Sequence, residues 1–193
     1  MAPPPDAVLV DRLRRGDRAA FRELHARFAQ ASFGFLLRLA GRRDVAEDLH
    51  QEVWLSIARH AVRLAADTDL AAWIFTIARN RFRSSRRRAD ADVTALDTAA
   101  LAGRAAGPAP VDDPGCRDLE RALASLPELH REVLLLVGVE GLEVNQAASV
   151  LSIRPDAARQ RLARARAALA EALDRADAAA PEVAVPIARK VSS

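Results

Sequence analysis

Residues 143–166, EVNQAASVLSIRPDAARQRLARAR, decide the reading of the fold. Glu143 to Val150 predicts a compact helix and Leu151-Ser152-Ile153 a tight connection. Pro155 then stands where a first-turn proline is tolerated, ahead of a helix reaching about Asp174. Two helices around so short a turn are a helix-turn-helix. At about 100° per residue, Ala158, Leu162, Ala165 and Leu169 fall on one side of the second helix and face a core. Asp156, Arg159, Gln160, Ala163 and Arg164 then project outward. Guanidinium and amide groups suit guanine and adenine edges in the major groove, and Arg161 and Arg166, flanking that face, suit phosphates. A solvated Arg-rich helix face is the plainer alternative on charge alone, and the preceding helix and turn count against it.

Working upstream, a helical group begins near Arg117, breaks at Pro127, resumes from Glu128 to Val139 and turns at Gly141. Residues 90–114 mix Ala, Asp, Gly and Pro without an apolar stripe and predict a flexible linker. Before it, Val8 to Arg14 forms a short helix stopped at Gly16, and Asp17 caps a helix running to Ala40. Gly41 ends that helix. Asp44 is expected to cap the next, which carries Val45, Leu49, Val53, Ile57 and Leu64, and a third long helix runs from Leu70 to Arg88. The fold class is therefore all-α. An N-terminal helical bundle (1–89) is joined by the linker (90–114) to a helix-turn-helix domain (115–175), with a disordered tail over 176–193.

The charge is unevenly laid out. The 193 residues carry a formal +3, but Ala72 to Arg88 holds six Arg and no acid, while Asp90 to Asp113 holds five Asp against Arg104 alone. On the third helix, Leu70, Trp73, Ile74 and Ile77 share a side, leaving Thr76, Arg79, Asn80, Arg83 and Arg86 on or beside an exposed basic side. Trp73 reads either as a stacking platform for an unpaired base or, on its spacing with Leu70 and Ile77, as core. Glu47, Asp48, Gln51 and Glu52 form an acidic and amide patch beside the stripe of the second helix. Such a patch repels phosphate and suits the Arg residues of a protein partner, or is an ordinary solvated face.

Catalysis has no comparable support. His25, His50, His60 and His130 show no spacing of a metal site, and no Gly-rich phosphate loop or nucleophile motif is present. No catalytic residue, metal or cofactor is expected. The lone Cys116 fits a reducing cytosol. Neither a signal-like N-terminus nor a run of about 20 apolar residues is found, so a cytoplasmic protein without membrane insertion is expected.

Taken together, the blocks resemble the extracytoplasmic-function class of the sigma-70 family. Ala46-Glu47-Asp48-Leu49-His50-Gln51-Glu52-Val53-Trp54 resembles the acidic signature with which the family docks on the RNA polymerase clamp. Ala72 to Phe82, followed by Arg86-Arg87-Arg88, resembles its promoter-opening helix. Leu126-Pro127-Glu128, Arg131-Glu132-Val133-Leu134 and Glu140-Gly141-Leu142 resemble the start of its second promoter-binding domain, and Arg159 to Arg166 its recognition helix. Only the linker lies between the two domains, the short layout of this class.

The resemblance implies a region 2-like and a region 4-like domain. Glu47, Asp48, Gln51 and Glu52 would bind polymerase. Trp73, Thr76, Arg79, Asn80 and Arg83 would engage the strand-separated minus-10 element, with a base pocket in the loop from His60 to Asp69. Arg159, Gln160, Arg161, Ala163 and Arg164 would read the minus-35 element. Core polymerase and promoter DNA are the partners implied, together with an inhibitory anti-sigma factor of the kind common in the family. Two departures bear on DNA preference: Ala157 lacks a hydroxyl for phosphate, and Ala163 replaces a larger side chain. The rival readings are a stand-alone helix-turn-helix regulator and a protein-interaction adaptor.

Overall fold

The computed structural model describes residues 6–95 and 114–179, which are helical with short connections and without strands. Helix α1 spans Asp6–Arg14, α2 Arg18–Ala40, α3 Arg43–His60 and α4 Leu70–Ala95, with a 3-10 turn at Ala61–Arg63. The second group comprises α5 (Pro114–Ser125), α6 (Glu128–Leu134), α7 (Val144–Leu151) and α8 (Pro155–Ala179). Of the disordered tail expected over 176–193 and the linker expected over 90–114, residues 176–179, 90–95 and Pro114 are instead helical, and the remainder of both segments lies outside the described residues.

The helix boundaries have local causes. Asp17 is the N-cap of α2, its carboxylate accepting from the Ala19 N–H at 2.7 Å, which satisfies one of the orphan donors of the first turn. Gly41, at φ 67°, ends α2 by donating to the Leu37 carbonyl, a backbone conformation open to glycine without a Cβ penalty. The expected Asp44 cap is displaced. Arg42 occupies the N-cap of α3, and Asp44 sits in the first turn paired to the Arg42 guanidinium, where its charge still favours the helix start.

Helix α4 continues past Arg88 to Ala95, into what composition marks as linker. Ala89 and Ala91 are strong helix formers, and nothing before Ala95 breaks the helix. Likewise α8 runs beyond Asp174 to Ala179.

The first group packs around Leu24, Phe35, Leu36, Val53, Ile57, Leu70, Ile74 and Phe75. Phe35 and Phe75 meet edge to face at 5.3 Å, and burial of each ring stabilises by about 2–3 kcal/mol. In the second group, α6 passes into a π turn, Leu135–Val139, in which Glu140 donates to the Leu135 carbonyl. Arg131 gathers the carbonyls around the end of α5, donating to Leu123, Ala124 and Leu126 at 3.0, 2.6 and 3.0 Å. The helix-turn-helix thus stands on a pinned support.

The two groups lie against each other, with α4 packed on α7 and α2 on α6. A cleft between α2 and the π turn is lined by Arg27, Phe33, Leu37, Arg38, Val139 and Glu140. Burial lifts the Glu140 carboxyl to about 7, while Arg38 pulls it down. A carboxyl raised above its unfolded value of 4.5 contributes stability that is complete below that pH and is lost as pH rises through about 7. Glu140→Gln should therefore flatten the fall in thermal midpoint between about pH 5 and pH 8. The loss removed is on the order of 2 kcal/mol, after allowance for partial exposure.

Candidate nucleic-acid interface

Helix α8 presents the face its periodicity requires. Ala158, Leu162 and Ala165 are buried and Leu169 is half-buried, while Arg159, Gln160, Ala163, Arg164 and Arg166 are exposed and Arg161 is half-buried. The Arg159 guanidinium lies 2.6 Å from Asp156 one turn earlier, and no ion pair is found for Arg164 among the described residues.

The turn before α8 is tight for a stated reason. Ser152 adopts φ 55°, a left-handed conformation uncommon outside glycine, and donates to the Ser149 carbonyl at 3.1 Å. Ile153 closes back on Ala148 at 3.0 Å. At the other end of α7, the Glu143 N–H donates to Gln146 Oε1 at 2.7 Å, so Gln146 serves as the N3 arm of a capping box without a Ser or Thr ahead of it.

The acidic patch lies on the outer side of α3. Glu47, Asp48 and Gln51 are exposed and Glu52 is half-buried. Two of the carboxylates already have cationic neighbours, Glu47 with Arg43 at 2.8 Å and Glu52 with Arg81 of α4 at 3.7 Å. No ion pair is found for Asp48 among the described residues.

Within the same motif, His50 turns inward. Its Nε2 lies 2.8 Å from the Trp54 indole nitrogen, 3.0 Å from the Ala29 carbonyl and 3.2 Å from Ser32 Oγ. An indole N–H can only donate and a backbone carbonyl can only accept, so the Trp54 and Ala29 contacts ask opposite roles of Nε2. Burial lowers the His50 pKa, His25 pushes the same way, and the Ala29 contact opposes them. His50 therefore positions the back of the helix whose front carries the acids.

On α4 the expected basic face is only partly exposed. Asn80 is exposed and Arg83 half-buried, and the Thr76 hydroxyl donates to the Ala72 carbonyl at 2.7 Å. Trp73 and Ile77 are half-buried and pack on the core edge. Arg79 corrects the expectation. It is 4% exposed, Nε donates to Glu132 Oε2 of α6 at 3.0 Å, and Nη1 lies 3.3 Å from the Val150 carbonyl of α7. The periodicity of α4 alone places Arg79 outward, and the second domain then covers it.

Glu132 and Gln146 are the site residues that the sequence reading missed. Glu132 is fully buried, burial raises its pKa against the pull of Arg79, and its Oε1 has no hydrogen-bond partner. A lone acid ahead of the apolar run Val133 to Leu136 was the signal that a partner must exist. Gln146 donates from Nε2 to Asp69 Oδ2 at 2.5 Å, and the other Asp69 oxygen accepts from the Ala72 N–H at 2.9 Å at the start of α4. Among the described residues no group of three or more His, Cys, Asp and Glu could hold a metal, and no helix is long and apolar enough to cross a membrane.

Comparison with known proteins fits this arrangement. Residues 24–91 match the model of Sigma-70 region 2, and residues 116–169 that of Sigma-70, region 4. The RNA polymerase sigma factor CarQ of Myxococcus xanthus is 36% identical over 167 residues, covering 85% of this chain and 95% of CarQ. The chain belongs to the extracytoplasmic-function sigma factors of the sigma-70 family.

EcfG of Rhodopseudomonas palustris, another sigma factor of this class, is 32% identical over 165 residues, 86% of this chain and 87% of EcfG. Among solved structures, the sigma factor RpoE of Bartonella quintana, crystallised with the anti-sigma factor NepR, superposes with a TM-score of 0.72. It is 28% identical and the match covers 80% of this chain and 96% of RpoE. This sigma factor thus has the two-domain helical architecture of its class, and the family consists of transcription regulators rather than enzymes.

Proposed function

We propose that this sigma factor binds core RNA polymerase through Glu47, Asp48, Gln51 and Glu52 of α3 and carries it to promoters read at two elements. Thr76, Asn80, Arg83, Trp73 and, once uncovered, Arg79 engage the unpaired minus-10 strand. Arg159, Gln160, Arg161, Ala163 and Arg164 read the duplex minus-35 element. The observation that carries this reading is the outward face of α8, where Arg159, Gln160 and Arg164 stand exposed together on a helix locked by its turn. Phosphate contacts from neighbouring Arg side chains would set register, and base contacts would select sequence. Opening DNA costs about 1.4 kcal/mol per base-pair step, which bases held beside a basic helix partly offset.

An anti-sigma factor is a further partner of the kind that RpoE binds, and the protein acts in the cytoplasm, where polymerase is. The test is run-off transcription with core polymerase and genome-wide mapping of starts. Discrete starts that require the added chain are expected. Tight duplex binding without polymerase, and no transcripts, would make it a stand-alone regulator; neither activity would make it an adaptor.

A further inference from the structure

The cleft between α2 and the π turn has a volume of about 510 Å³ and joins an apolar wall to a small polar set. Phe33, Leu37 and Val139 supply the wall, and Val139 stands 48% exposed at its edge. Arg27, Gln30, Arg38 and Glu140 supply the polar groups. A concave apolar site of roughly 300–1,000 Å³ with a few converging polar groups is the usual form of a small-molecule pocket. Single π turns recur where proteins hold ligands, and this one brings Val139 and Glu140 to the cleft.

The charges of this cleft are incompletely matched. Arg27 is paired with Asp6 at 2.5 Å. Arg38 donates from Nε to Glu120 at 2.8 Å, and no hydrogen bond to its terminal nitrogens is found among the described residues. The Glu140 carboxyl likewise has no hydrogen bond among the described residues, and no ion pair joins it to Arg38, although Arg38 pulls its pKa down against burial. A cationic donor and an anionic acceptor therefore line one cleft without meeting, and a polar group taken from water without a partner is costly. Gly34 sits below them in the interior of α2. Its φ is not positive, so the backbone does not demand glycine, and glycine inside a helix costs stability relative to alanine. Space accounts for it, since a Cβ at this position would meet Arg38 Nη1 at 3.1 Å.

We propose that this cleft binds a small zwitterion with an apolar body, the chemistry of an apolar amino acid or a short peptide. The ligand's carboxylate takes the terminal nitrogens of Arg38, its ammonium takes Glu140, and its side chain lies on Phe33, Leu37 and Val139. A simple anion would be set against Glu140, and a simple cation against Arg27 and Arg38, so neither charge alone suits the lining. Charge-assisted hydrogen bonds at both ends fix the ligand's orientation. One wall comes from each domain, so occupancy adds to the stability of the whole chain.

The experiment is isothermal titration calorimetry of the full chain with L-phenylalanine and with the dipeptide Leu-Phe. Phenethylamine and phenylpropionate serve as ligands that lack one of the two charges. At least one zwitterion should bind saturably with a Kd of about 1 mM or tighter, and each single-charge ligand about tenfold or more weakly. At about tenfold excess over that Kd, the zwitterion should raise the thermal midpoint by about 3–6 °C. Gly34→Ala favours the helix but crowds Arg38, and Glu140→Gln removes the anion at nearly constant shape. Each should weaken binding by about tenfold or more while circular dichroism shows the chain still helical. Absence of saturable binding by both zwitterions overturns the site, and so does equal binding of the single-charge ligands. Unchanged affinity in either variant overturns the assignment to this cleft.

Discussion

Core RNA polymerase should bind the triple variant E47Q/D48N/E52Q about a hundredfold or more weakly than the parent chain. Removal of interfacial charges whose partners stay buried costs about 2–5 kcal/mol, and a hundredfold is about 2.7 kcal/mol. The geometry also ranks the three. Glu47 is held by Arg43 and Glu52 lies near Arg81, so each must leave an intramolecular cation to meet polymerase, whereas no such pair is found for Asp48 among the described residues. Asp48→Asn alone should therefore cause the largest single loss, and Arg43→Ala, which frees Glu47, should cause none. Exposed pairs of this kind contribute at most about 1 kcal/mol to folding, so the thermal midpoint should barely move. Titration of labelled chain with core polymerase at two salt concentrations measures both terms, since the association rate of an exposed charged patch falls with ionic strength. Unchanged holoenzyme assembly in the triple variant would remove α3 from the interface.

What could be read without coordinates was local. Asp17, Gly41 and Pro155 mark helix boundaries because a cap or a fixed φ acts within one turn, and the outward face of α8 follows from helical spacing over three turns. The acidic face of α3 was legible for the same reason. Arg79 was not, because its burial depends on Glu132, 53 residues away and on the other domain. A basic residue on a polar stripe reads as solvated until something covers it. The same limit hid the Asp69–Gln146 tie, whose partners are 77 residues apart. Composition misled at the end of α4, where Ala and Asp suggested a linker although alanine favours the helix. For Asp44, propensity for capping gave way to a pairing with Arg42 one position outside the helix.

Promoter selection should fail in the recognition helix before the fold does. Arg159→Ala and Arg164→Ala are each expected to cost about 1–3 kcal/mol of discrimination between the minus-35 element and a scrambled duplex, the range for a lost direct base contact. The two side chains start from different positions. Arg159 must leave Asp156, which as an exposed pair costs it at most about 1 kcal/mol, while no ion pair holds Arg164 among the described residues. Asp156→Ala should therefore strengthen DNA binding slightly, and only while Arg159 is present; a double-variant cycle with Arg159→Ala isolates that coupling. Stability should be preserved throughout, because the buried side of α8 is carried by Ala158, Leu162 and Ala165 and none of these is touched. The measurement is competition between element and scrambled duplex at fixed salt. Equal losses on both duplexes would turn Arg159 and Arg164 into phosphate contacts, and sequence choice would then have to come from Gln160 or from the shape of the DNA.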